Sequence, residues 1–113
     1  MSPQLTLEQQ FQYLQMKQAA ENLEKMQLLE LLVDATRQLS IKTNLYLSLA
    51  KNKKLIGEEF DLTLEQSLRC RMMEEELRQE SKAEIINRLL ETMSQIMTRD
   101  NSVKQLLMDS CRW

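Results

Sequence analysis

The chain contains no histidine, and only one glycine, one proline and two cysteines in 113 residues. Each shortage excludes something. Without histidine there is no Ser-His or Cys-His nucleophilic pair, and the commonest metal ligand is missing. With one Gly and one Pro the chain cannot supply the tight turns that all-β and α/β folds need. Cys70 and Cys111 have no metal-ligand spacing and are too few for a disulfide framework. Two Phe, two Tyr and one Trp leave Leu, Ile and Met to build any core. No segment approaches the ~20 apolar residues that a membrane span requires. The opening MSPQLTLEQQ has no basic segment leading into an apolar run, so no secretory signal is expected. The net charge of −2, from 15 basic and 17 acidic residues, gives no general attraction to nucleic acid or anionic lipid.

What remains is rich in Leu, Met, Glu, Gln, Lys and Arg, which lose little rotamer freedom in a helix. The stretch LTLEQ occurs twice, at Leu5–Gln9 and Leu62–Gln66. Residues 5–52 laid over 62–109 without a gap match at eleven of 48 positions. Conservative pairs such as Leu28 with Ile85, Val33 with Leu90 and Lys42 with Arg99 extend the match. Leu-rich heptads resemble one another by default, but LTLEQ lies outside the heptad run, so the match argues for an internal duplication. Each copy opens with T-x-x-Q, Thr6 with Gln9 and Thr63 with Gln66, which reads as a capping box. Ser81 and Glu84 form a further S-x-x-E start, whereas copy one has Glu24 in the place of Ser81. Asn22 is the candidate cap there, and an unbroken helix over 7–50 is the rival reading.

The stripe Ile86, Leu89, Met93, Ile96, Val103 and Leu107 recurs at helical spacing, interrupted by Asp100; copy one carries Leu29, Leu32, Thr36, Leu39, Thr43, Tyr46 and Ala50. KNKKLIGEEFD, residues 51–61, holds the single Gly57 and switches from basic to acidic. It reads as a solvated linker, too short a basic patch for nucleic acid. Helices are predicted over about 6–22, 25–51, 63–79 and 82–109. The expected fold is all-α: two helical hairpins in tandem, 1–52 and 62–113, joined by a linker over 53–61 and forming a four-helix pseudo-dimer bundle.

These residues resemble the NblA phycobilisome degradation proteins, small chains of cyanobacteria and red-algal plastids. That family begins L-[ST]-L-E-Q-x-F and continues through a break into a long helix. Copy one is similar at Leu5 to Gln9, Phe11, Leu32-Val33, Gln38, Lys42, Tyr46, Leu49 and Lys51. Copy two is similar at Leu62 to Gln66, Arg69, Ser81, Leu89-Leu90, Gln95, Arg99-Asp100, Leu106-Leu107 and Trp113. Copy one departs with Lys42-Thr43 in place of Arg-Glu, and copy two with Val103 in place of Tyr and Met108 in place of Lys. The resemblance implies a fused pair of hairpin protomers. It implies an adaptor, not an enzyme, that binds phycobiliproteins (phycocyanin or allophycocyanin) and delivers them to a Clp-type chaperone. No cofactor is implied. The contact surface would lie at the distal ends of the long helices: Tyr46, Leu49 and Lys51 in copy one, Arg99, Leu106 and Leu107 in copy two. Trp113 joins them as an aromatic at a chain end, a common interface anchor. A further homodimer would fit any groove the hairpins leave open. The compartment implied is the cytoplasm of a cyanobacterium, on its thylakoid-bound antennae, or a plastid stroma. The alternatives are a generic helical scaffold or coiled-coil partner unrelated to phycobilisomes, its repeat a product of helix bias, and a protein that assembles or anchors the phycobilisome–photosystem apparatus without a protease role.

Other candidates read as structure. Cys70, between Arg69 and Arg71, is a conceivable thiol nucleophile or bilin attachment site, but no partner base or Gly-rich loop accompanies it. The acidic run at Glu74–Glu80 is interspersed with Arg and reads as a solvated helix face. The eight methionines either fill the core or line an adaptable groove; core filling is favoured for Met93, partner contact for Met108.

Overall fold

A computed structural model describes residues 5–50 and 62–110. They form four helices: α1 (Leu7–Glu21), α2 (Lys25–Ala50), α3 (Leu64–Leu77) and α4 (Lys82–Ser110). Both expected T-x-x-Q boxes are complete. The Thr6 hydroxyl accepts from the Gln9 N–H at 3.1 Å, and the Gln9 side chain accepts from the Thr6 N–H at 3.0 Å. Thr63 and Gln66 repeat both bonds at the same distances. Each box satisfies donors that a helix start otherwise leaves unpaired.

The break in copy one is real and needs neither Gly nor Pro. α1 tightens at its end, with the Asn22 N–H donating to Ala19 O and the Leu23 N–H to Ala20 O. Asn22 therefore closes α1 and does not open α2, contrary to its expected role. Glu24 stands at the start of α2, its N–H held by the Gln27 side chain at 3.0 Å. Copy two has the other half of that arrangement, with the Ser81 hydroxyl accepting from the Glu84 N–H at 3.2 Å. The rival of one helix over 7–50 is excluded. What compensates the freed carbonyls comes from the opposite copy. Lys82 Nζ donates to Glu21 O at 3.0 Å, and Lys25 Nζ to Arg78 O at 2.8 Å. An ammonium at a helix C-terminus satisfies an orphan carbonyl and suits the dipole.

These two contacts are equivalent under the 57-residue offset, and so is the whole arrangement. α2 and α4 run parallel as the central pair. Their early turns share one apolar core, and their late turns meet at Lys42–Asp100. α1 lies antiparallel on α4, from Gln9 beside Asn101 to Glu21 beside Lys82. α3 lies antiparallel on α2, from Gln66 beside Asn44 to Arg78 beside Lys25. Each hairpin thus sends its short arm onto the other hairpin's long arm. The two hairpin turns share one end of the bundle, called proximal below. The starts of α1 and α3 and the ends of α2 and α4 share the distal end.

The core is apolar near the proximal end. Ala20, Leu28, Leu29, Leu32, Leu77, Ile85 and Leu89 are all buried. Each large aliphatic among them contributes on the order of 2 kcal/mol by leaving water. Met93 packs against this cluster, in line with core filling. Towards the distal end the stripes thin out. Ala50 and Leu107, read as seam residues, are exposed. Gln9 at the start of α1 is level with Asn101, so α4 runs on past the helix that covers it.

Candidate partner-binding surface

Just inside the distal end, the seam changes from apolar to polar. Gln9 Nε2 donates to Asn101 Oδ1 at 2.9 Å, and Asn101 Nδ2 donates back to Gln9 Oε1 at 2.8 Å. Gln66 and Asn44 make the same reciprocal amide pair at 3.1 and 3.0 Å. The glutamine of each LTLEQ therefore does two things. Its carbonyl holds the N–H of its own helix cap, and its amide reads an asparagine on the other copy's long helix.

Between these amide pairs lie two of the sequence-identified residues. The Arg99 guanidinium sits 4.9 Å from the centre of the Tyr46 ring, a cation–π contact across the seam. Beside it, Lys42 Nζ and Asp100 Oδ1 are 2.6 Å apart, both half-buried. Tyr46 and Arg99 thus engage each other. Leu49 and Leu106 follow them on α2 and α4 and are partly buried, and Leu107 and Met108 are exposed. Lys51 and Trp113 lie outside the described residues, as does Cys111.

Sequence reasoning missed two exposed apolar rows. On α1 they are Leu7, Phe11 and Leu14, and on α3 Leu64, Leu68 and Met72. Leu7 and Leu64, equivalent residues, are 83% and 88% exposed, more than any other large apolar side chain described. The spacing of three and four residues was visible in the sequence, but it was indistinguishable from a core-facing stripe. The face of α1 that is used instead carries Gln9, Tyr13, Met16 and Ala20, and three of these are not strongly apolar.

A shallow apolar groove of about 210 Å³ opens beside α1, lined by Met16, Leu31, Ala35, Leu89, Met93 and Met97. Asp34 and Gln38 border it, paired to each other at 3.1 Å. Residues at the equivalent positions on the opposite face include Arg88 for Leu31, Thr92 for Ala35, Thr36 for Met93 and Ser40 for Met97. The two faces of the pseudo-dimer therefore differ in polarity.

Cys70 is a free, buried thiol on the packed face of α3. Among the described residues no group of three potential metal ligands occurs. The acidic run of α3 is solvated, with Arg78 reaching Glu74 at 3.3 Å along the helix. No described helix is long and apolar enough to cross a membrane.

Comparison with known proteins agrees with this two-unit geometry. The family model described as phycobilisome degradation protein nblA matches the chain twice, over residues 4–53 and 61–110. The curated "Phycobilisome degradation protein NblA homolog 2" of Synechocystis sp. is 40% identical over 54 residues, covering 48% of this chain and 90% of that protein. No solved structure matches. With two matches that each span one hairpin, the chain belongs to the NblA family and carries the family's unit in tandem.

Proposed function

We propose that the chain is a non-enzymatic adaptor in phycobilisome degradation, one that binds phycobiliprotein subunits through the distal end of its bundle. The observation that carries this reading is the double family match on a bundle whose long helices are parallel. Parallel pairing brings the end of α2, with Leu49, to the same end as Leu106 and Leu107 of α4. A single approach by a partner then meets both copies. The exposed Leu107 and Met108 supply apolar area that nothing in the described chain covers. Delivery to a Clp-type chaperone would follow, since an adaptor must meet antenna and protease machinery together. In this reading the protein works in the cytoplasm of a cyanobacterium, at its antennae, or in a plastid stroma.

The test is a pull-down from phycobilisome-containing extract, with the tagged full chain as bait. Phycocyanin or allophycocyanin subunits should be enriched, and the Leu49→Ala, Leu106→Ala double variant should retain the fold and lose most of the enrichment. No enrichment by the wild-type chain would refute antenna binding. Equal capture by wild type and variant would remove these leucines from the contact surface.

A further inference from the structure

Some contacts between the copies obey the 57-residue symmetry and some do not. The amide pair and the lysine–carbonyl contact each occur twice. They would form equally well between identical units and say nothing about which unit pairs with which. The Lys42–Asp100 contact occurs once. Its symmetry mate would join Arg99 to residue 43, but residue 43 is Thr, whose hydroxyl donates to Leu39 O at 2.8 Å. Among the described residues Arg99 has no carboxylate partner, and its Nε is buried without a hydrogen bond. The guanidinium lies on the Tyr46 ring instead, and the residue equivalent to Tyr46 is Val103, so that contact does not repeat either.

We propose that the two copies have diverged into complementary halves, with Lys42 and Tyr46 of copy one specific for Asp100 and Arg99 of copy two. In the same register, copy one against itself would set Lys42 opposite Thr43 twice and leave both ammonium groups without an acid. Copy two against itself would keep Arg99–Asp100 pairs but have no ring for the guanidinium. The seam thus selects one half of each kind.

The full-length chain tests this by chemical denaturation. Asp100→Lys places a third cation beside Lys42 and Arg99 and should raise the unfolding constant about tenfold. Lys42→Asp combined with Asp100→Lys should recover most of that loss, a coupling that an incidental surface pair does not show. Thr43→Asp should give Arg99 its missing partner and lower the unfolding constant several-fold relative to the Thr43→Asn control. If Asp100→Lys does not fold, Asp100→Asn takes its place in the cycle with Lys42→Asn. Absence of coupling between positions 42 and 100, or a Thr43→Asp chain no more stable than Thr43→Asn, would overturn the proposal.

Discussion

Single side chains carry the joining of the two copies. Lys25 and Lys82 each cap the carbonyl end of a helix belonging to the other copy. Gln9 and Gln66 each hold a helix start and an inter-copy amide pair at once. Below these polar contacts, Leu28 is fully buried in the cluster that both copies share. Leu28→Ala removes apolar area and leaves a cavity that four helices cannot easily close. A loss of about 2–5 kcal/mol is expected, measured by urea denaturation. The same substitution at exposed Leu31, on the adjacent outer surface, should cost well under half as much. The residues expected to touch a partner divide differently. Tyr46 and Arg99 are spent largely on each other, whereas Leu107 is open. Sequence alone did not separate them, because both kinds sit in one helical stripe. Only the end point of the covering helix decides which part of the stripe stays dry.

At the level of the element, the helix starts were legible because capping chemistry is local. T-x-x-Q needs only residues three apart, and both boxes form as read. The break after α1 was legible only as a choice between two readings. It is settled by contacts from the other copy, and no local signal contains them. Its starting cap is half-built: Gln27 reaches back to the Glu24 N–H, but Glu24 has no hydroxyl to return the bond. Glu24→Ser supplies one. The expected result is a gain of about 0.5–1 kcal/mol, read as a raised thermal midpoint, with Glu24→Ala giving none of it. The exposed rows on α1 and α3 were illegible for a different reason. A short helix packed along a polar-edged face shows little amphipathic contrast. The packed row of α1 contains Gln9 and Ala20, while Leu7 and Phe11 face outward.

For the whole molecule, the duplication is the organising fact. Two matching units were visible from the repeated LTLEQ and the linker, and so was the four-helix bundle they build. The exchange of short arms between hairpins was not visible, because any two amphipathic stripes of similar length can pair in either direction. The structure puts α2 and α4 parallel, α1 on α4 and α3 on α2, all within one chain. Exposed Gln12 and Lys104 border the same cleft at the distal end. Glu21, at the other end of α1, lies beside Lys82, 22 residues before Lys104 on α4 and about 33 Å from it along the helix. A short bismaleimide applied to the Gln12→Cys, Lys104→Cys chain, with Cys70→Ala and Cys111→Ser, tests this directly. The account predicts rapid cross-linking within single chains and none for Glu21→Cys with Lys104→Cys. Cross-linking of the Glu21 pair, or of neither, would contradict it.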